Sequence, residues 1–161
     1  MPYFQEKELL LYVERELLPN LAEDLVVDFY EYFGVNLDLT PASLERVEST
    51  LLKHPDYVEA DTLAGPVGAY LGAVLCRSDG ARWAAGFDMA RGAEGYQASR
   101  VRLYDQDVDV FDLAHKAIAG SCSLPQAFSS MHRAIPPGRS ISVSPPADAA
   151  GSPSQPMAPP A

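Results

Sequence analysis

The sequence predicts an α+β fold: a small antiparallel three-stranded sheet packed on one face by helices, with an N-terminal helical pair before it and a disordered C-terminal tail after it. Three observations carry this. Apolar residues recur at helical spacing through the first 54 residues and again from 65 to 77. Short runs at 81–88, 100–104 and 108–110 alternate apolar with polar, the period of half-buried strands. From Pro136 onward the composition collapses to Pro, Ser, Ala and Gly, with 8 prolines in 26 residues, which leaves too little apolar surface to fold.

Taken in order, Phe4, Leu11 and Leu18 recur every seven residues, flanked by Leu10, Val13 and Leu17, and put an apolar stripe on a first helix over 3–18. Pro19 is expected to end or kink it. Asn20 and Glu23 have capping-box spacing, and Leu21, Leu25, Phe29 and Phe33 then recur every fourth residue, predicting a second helix over 21–33 with Gly34 as its left-handed stop. Thr40-Pro41 reads as the start of a third helix, with Leu44, Val47 and Leu51 on its buried side and His54-Pro55 as its end.

The stretch "GPVGAYLGAVLC", 65–76, holds three glycines in eight positions. It is too short to cross a bilayer, which takes about 20 apolar residues. A phosphate-binding P-loop needs G-x-x-x-x-G-K-[ST], yet no Lys lies between Lys53 and Lys116, and the spacing is not the G-x-G-x-x-G of a dinucleotide fold. With Gly65-Pro66 as N-cap and first helical residue, a helix over 66–77 results, in which Ala64, Gly68, Gly72 and Cys76 form a ridge of small side chains for close packing. Val67, Tyr70, Leu71 and Val74 occupy its other faces, which makes this the central helix.

In "ARWAAGFD", 81–88, Trp83 and Phe87 alternate with Arg82 and Gly86. In "RVRLY", 100–104, Val101 and Leu103 alternate with Arg100 and Arg102. A turn "YDQD" leads to the strand "VDV", 108–110. Asp109 is placed to cap a helix ending at Gly120, with Asp112 in its first turn and His115 and Lys116 in its last. Ser123 and Pro125 open a further helix carrying Leu124, Phe128, Met131 and Ile135 on one stripe. The organisation expected is an acidic helical pair over 1–34, an α+β domain over 35–135 and the tail over 136–161, whose two P-x-x-P matches read as a flexible end.

The net charge of −10 is concentrated: residues 1–60 hold 13 acids and 4 bases, whereas residues 61–161 hold 9 and 8. Such a front end repels nucleic-acid phosphate and anionic membrane, and is expected either to steer a basic partner toward itself or to serve only as a solvated face that keeps the protein soluble. Cys76 and Cys122 lack metal-like spacing and suggest reduced thiols, and the charge-interrupted N-terminus lacks the pattern of an export signal; together these predict a cytoplasmic protein.

The segments "LDLTPASLERVE" (37–48), "GAYLGAVL" (68–75), "GARW" (80–83) and "VDVFDLAHKAI" (108–118) together resemble an uncharacterised family of small bacterial domains of unknown function. That family's pattern is a Ser/Pro-led helix, a GAYLG-type helix, a G-x-x-W strand, and a hairpin leading into a Pro-Phe helix. The resemblance covers about half the chain and implies a fold rather than an activity. Ala73 departs from an acidic residue in the pattern, and Val110 from a proline.

No catalytic residue, cofactor site or metal site is expected. The calcium-loop-like "DQDVDVFDLAHK", 105–116, has Val110 and Lys116 where Gly and Glu are required, and His54, His115 and His132 fall in three different elements. Cys76, on the small-residue ridge, is expected to be an inert core thiol. The candidate interaction surface is Arg82, Arg100 and Arg102 on the outward phase of two strands, with the alternative that the acidic front helices neutralise them. Arg91 and Glu94 in the loop "MARGAEG", 89–95, mark a second candidate. The function expected is a non-enzymatic protein-binding module, regulatory or immunity-like, with another protein as partner, a basic one where the acidic front end guides it, and neither nucleic acid nor membrane. The alternative is a small-molecule-binding domain or enzyme using the 89–95 loop.

Overall fold

The computed structural model describes residues 6–57 and 59–133. The chain divides into two compact units, Met1–Phe128 and Ser129–Ala161, and of the second only 129–133 is described. Phe4, Ile135 and the tail expected to be disordered lie outside the described residues. The α+β architecture is as the sequence predicts, and the first unit holds its three-stranded sheet.

The expected pair of N-terminal helices is one continuous helical run: α1 (Glu6–Tyr12), a π-helical stretch (Val13–Leu17) and α2 (Leu18–Phe33). Pro19 does not stop it. A proline ring presses on the carbonyl four residues before it, and here the turn just upstream is widened, the Leu18 N–H reaching back five residues to the Val13 carbonyl. Asn20 and Glu23 therefore stand in mid-helix, without a capping role. Val13, Leu18, Ala22, Leu25 and Phe29 are buried, and Gly34 ends the run at φ 65° as the sequence predicts.

Helix α3 (Ser43–Lys53) buries Leu44, Val47 and Leu51, and the Thr40 hydroxyl accepts from the Ser43 N–H at 3.3 Å. A hydrogen-bond chain fixes this entry to the core. The Leu39 N–H donates to the Tyr70 hydroxyl (2.9 Å), which is 2.5 Å from Ser43 Oγ, and Ser43 Oγ donates to the Thr40 carbonyl (2.6 Å). Leu39 is at φ 61°, a conformation that a leucine rarely adopts, so the chain holds a strained corner. Tyr70→Phe takes the acceptor from the part-buried Leu39 amide and one of two partners from the buried Ser43 hydroxyl, and should cost about 1–3 kcal/mol in a denaturant melt. An unchanged midpoint would show that water replaces the hydroxyl.

The central helix, α4 (Ala60–Asp79), starts six residues earlier than expected, so Gly65 and Pro66 are not its cap but lie within it. The missing N–H of Pro66 leaves only the carbonyl of Thr62 without a helical partner, and Thr62 is exposed to water. Helix α4 packs on α2 and, of the elements that follow, on β1 (Arg82–Ala84), β2 (Arg100–Leu103) and α5 (Val110–Ile118); β3 (Gln106–Val108) pairs with β2, and α6 (Leu124–Arg133) comes last among the described elements. The sheet order is β1-β2-β3, all antiparallel, with Trp83 opposite Val101 and Arg102 opposite Asp107.

The first and third strands have boundaries that differ from expectation. The first strand stops at Ala84 rather than running to 88, because Gly86 turns away to exchange hydrogen bonds with the Ser99 hydroxyl (2.9 and 3.1 Å). The hairpin turn is Tyr104-Asp105 alone, with Tyr104 at φ 57°, so β3 begins at Gln106 and Val110 already belongs to α5. Asp109 caps α5 as predicted, its carboxylate accepting from the Asp112 N–H at 3.0 Å.

The glycines of α4 are packing positions, and the face they form is Gly65, Gly68 and Gly72 rather than the ridge expected from Ala64 to Cys76. A Cβ on Gly65 would collide with the Tyr96 hydroxyl, on Gly68 with the Phe111 ring and on Gly72 with the Trp83 indole. Each glycine admits one ring. The rings also touch one another, Trp83 stacking on Phe111 with centroids 6.2 Å apart and Tyr96 meeting Phe111 edge-on at 5.6 Å.

Candidate functional site

The three arginines of the sheet come together as predicted, since Arg82 and Arg102 are direct cross-strand partners and Ala84 faces Arg100. Their countercharge does not come from the front helices. Arg102 makes a forked pair with Asp107 opposite it on β3 (Nε–Oδ1 3.0 Å, Nη2–Oδ2 3.3 Å), which pushes the guanidinium pKa further up. Arg100 reaches the Asp109 carboxylate at 3.2 Å and donates to the carbonyls of Ser99 and Gln97. Of the three, Arg82 alone makes no hydrogen bond or ion pair among the described residues, and it is exposed. The neutralising acids are local because an antiparallel hairpin sets Asp107 across from Arg102, a closer source than any helix.

Arg91 and Glu94 do not lie in an open loop. Residues Met89–Ala98 wind into 3-10 turns broken at Gly92. Both side chains converge on Gln97, only 2% exposed: Arg91 donates to its Oε1 (3.0 Å), its Nε2 donates to Glu94 (3.5 Å), and His115 Nε2 donates to the same Oε1 from α5 (3.3 Å). Gln97 thus ties the segment to the end of α5. Neither Arg91 nor Glu94 lines the three clefts formed by other elements, and both side chains brace the fold through Gln97.

The other chemically suggestive residues are used structurally. Asp107 and Asp109, from the calcium-loop-like stretch, serve Arg102, Arg100 and the cap of α5. His54 stacks on Phe33 (4.3 Å), whereas His115 bonds to Gln97. Among the described residues no three His, Cys, Asp or Glu side chains gather closely enough to hold a metal ion. Cys76 is half-buried, and burial, with Glu14 nearby, pushes its thiol pKa up, away from nucleophilic thiolate. A cleft of about 580 Å³ is walled by Leu51, Leu52, Ile118 and Leu124. Its one carboxylate, Glu48, is occupied in accepting from the Leu124 N–H (2.9 Å) and the Ser123 hydroxyl (3.2 Å).

The feature that sequence reasoning missed is on the outer face of the N-terminal run. Burying Ala22, Leu25 and Phe29 turns Asn20, Glu23, Val27 and Tyr30 outward, in steps of three and four residues, with Asp24 and Glu31 beside them, while Tyr32 lies round toward the buried stripe, its ring against Phe33 and Tyr57. Tyr30 is 61% exposed and Tyr32 68%, and Tyr12 is exposed further along. The run from Glu6 to Phe33 carries eight acids and two bases, and among the described residues none of the eight is in an ion pair. The complement of the apolar stripe could have revealed Val27 and Tyr30, since whatever lies 180° from a buried stripe is solvent-facing. No helix among the described residues is long and apolar enough to cross a membrane. Comparison with protein-family models, with curated proteins and with solved structures finds no match to the chain.

Proposed function

We propose that the protein is a non-enzymatic, cytoplasmic binding module of regulatory or immunity-like role, and that its N-terminal helical run takes a basic segment of a partner protein. One observation carries this reading: Glu23, Asp24 and Glu31, none of them in an ion pair among the described residues, share the outer side of the helical run with exposed Val27 and Tyr30. Carboxylates steer a cationic chain and set its orientation. Tyrosines bring contact area at low entropic cost, which is why they are enriched where proteins bind one another. A merely solubilising face has no use for Val27 and Tyr30.

The test is fluorescence anisotropy with a lysine-rich amphipathic helical peptide. Exposed ion pairs are worth about 0.2–1 kcal/mol each, so Glu16→Gln, Glu23→Gln, Asp24→Asn and Glu31→Gln together should weaken binding roughly tenfold, and 0.5 M salt should do likewise. Val27→Ala with Tyr30→Ala, which keeps every charge, should weaken it as well. If that pair binds the peptide as tightly as the unaltered protein does, the attraction is unspecific charge and the proposal fails.

A further inference from the structure

We propose that the cleft between the end of α2 and the outer face of α3 binds a small organic dianion, of the dicarboxylate class, with one acidic group at Arg46 and the other at Lys53 and His54. The cleft holds about 410 Å³, the size of a small-metabolite site. Its α3 wall is the stripe Arg46, Ser49, Thr50 and Lys53; a seven-residue separation along a helix spans about 10 Å, within which two long cationic side chains flank a pair of hydroxyls. His54, stacked on Phe33, closes one end.

Two observations single out this place. Residues 1–60 hold 13 acids and only 4 bases, yet two of those bases and a histidine line the cleft and no carboxylate does. Thr50 is 5% exposed and, unlike the other buried polar side chains Ser43, Gln97 and Ser99, makes no side-chain hydrogen bond among the described residues. A buried hydroxyl without a protein partner requires one from the cleft, and a carboxylate oxygen between the two cations supplies it. Arg46 is steadied rather than consumed by its neighbour: one nitrogen meets Asp38 at 3.2 Å, and the guanidinium keeps further donors. Asp38 is itself held by the Thr40 hydroxyl and lies outside the lining.

A competing account is that the bases only complement helix carbonyl ends. It suits Lys53 and His54, at the end of α3, but Arg46 is in the first turn of that helix, where the dipole disfavours a cation. It also leaves Thr50 unexplained. The experiment is an amide-resonance NMR titration of the full chain with succinate, against acetate at matched ionic strength. Saturable shifts confined to residues around Asn36, Ser49, Thr50 and Lys53 are expected with succinate and not with acetate. Lys53→Met, at an exposed position, should weaken succinate at least tenfold, and the control Lys116→Met should leave it unchanged. Shifts that merely follow ionic strength, or a Lys53→Met protein that melts lower while binding succinate as before, would overturn the proposal.

Discussion

Gly72→Leu is expected to destabilise the fold by about 3 kcal/mol, the upper end of what overpacking a filled core costs. A single methyl at this position already meets the Trp83 indole, and leucine adds three further carbons in the same direction. Neither wall can yield cheaply. Leu71, Val74 and Leu75 fix α4 from its other sides, all fully buried, while Trp83 is held by its stack on Phe111 and by the pairing of β1 with β2. With a urea m-value of about 1–3 kcal/mol/M, the midpoint should fall by roughly 1–3 M. Ala93→Leu, at an exposed position, is the control and should melt normally. Gly92 is unsuitable for that purpose: at φ 61°, ψ −133° it occupies a region closed to any side chain, so a substitution there is destabilising without touching a core. A ligand-cradling role for the α4 glycines predicts the opposite pattern, normal melting with lost ligand affinity, so an unshifted Gly72→Leu midpoint would refute the packing assignment.

What the sequence discloses and what it hides divide along a physical line. Local chemistry was legible. The Gly34 stop, the Asp109 cap, the end at His54-Pro55 and the buried side of α3 each follow from a few adjacent residues, and each stands as read, whereas α3 starts at Ser43, with Ala42 rather than Thr40 as its N-cap. Prolines misled, because their effect depends on whether the turn before them can open. At Pro19 a π turn relieves the clash, and at Pro66 the orphaned carbonyl belongs to an exposed residue. The end of the first strand was hidden for another reason: Gly86 is captured by Ser99, thirteen residues away, a bond that no pattern within 81–88 could announce.

The candidate sites show the same division. That Arg82, Arg100 and Arg102 share a face was readable from alternation, but their partners depend on strand register, which Tyr104-Asp105 sets. Arg91 and Glu94 looked like loop residues because nothing local indicates that Gln97 is buried beneath them. The cleft of Arg46, Lys53 and His54 spans two elements and is invisible along either one. The glycine face was half readable: periodicity gave small residues on one side of α4, but only the tertiary arrangement says that the ridge bears three aromatic rings rather than a backbone.

Phe111→Ala should remove about 3–5 kcal/mol, since it deletes a buried ring that Trp83 and Tyr96 both contact. Its sharper use is with Gly68→Ala. Alone, that methyl collides with the Phe111 ring and should cost about 1–3 kcal/mol, even though alanine is the better helix former by about 1 kcal/mol. In the Phe111→Ala background the ring is gone, leaving the Phe111 Cα, 3.1 Å from the added carbon, as the remaining obstacle. A few tenths of an ångström of movement then suffices, while the methyl fills part of the cavity and gains the helix preference. Gly68→Ala should therefore become nearly neutral, and the double-mutant cycle should close with a coupling of about 1–3 kcal/mol. Strictly additive midpoints would mean that ring and glycine do not share one space, and that the aromatic face of α4 is held by the rings' mutual contacts rather than by the gaps the glycines leave.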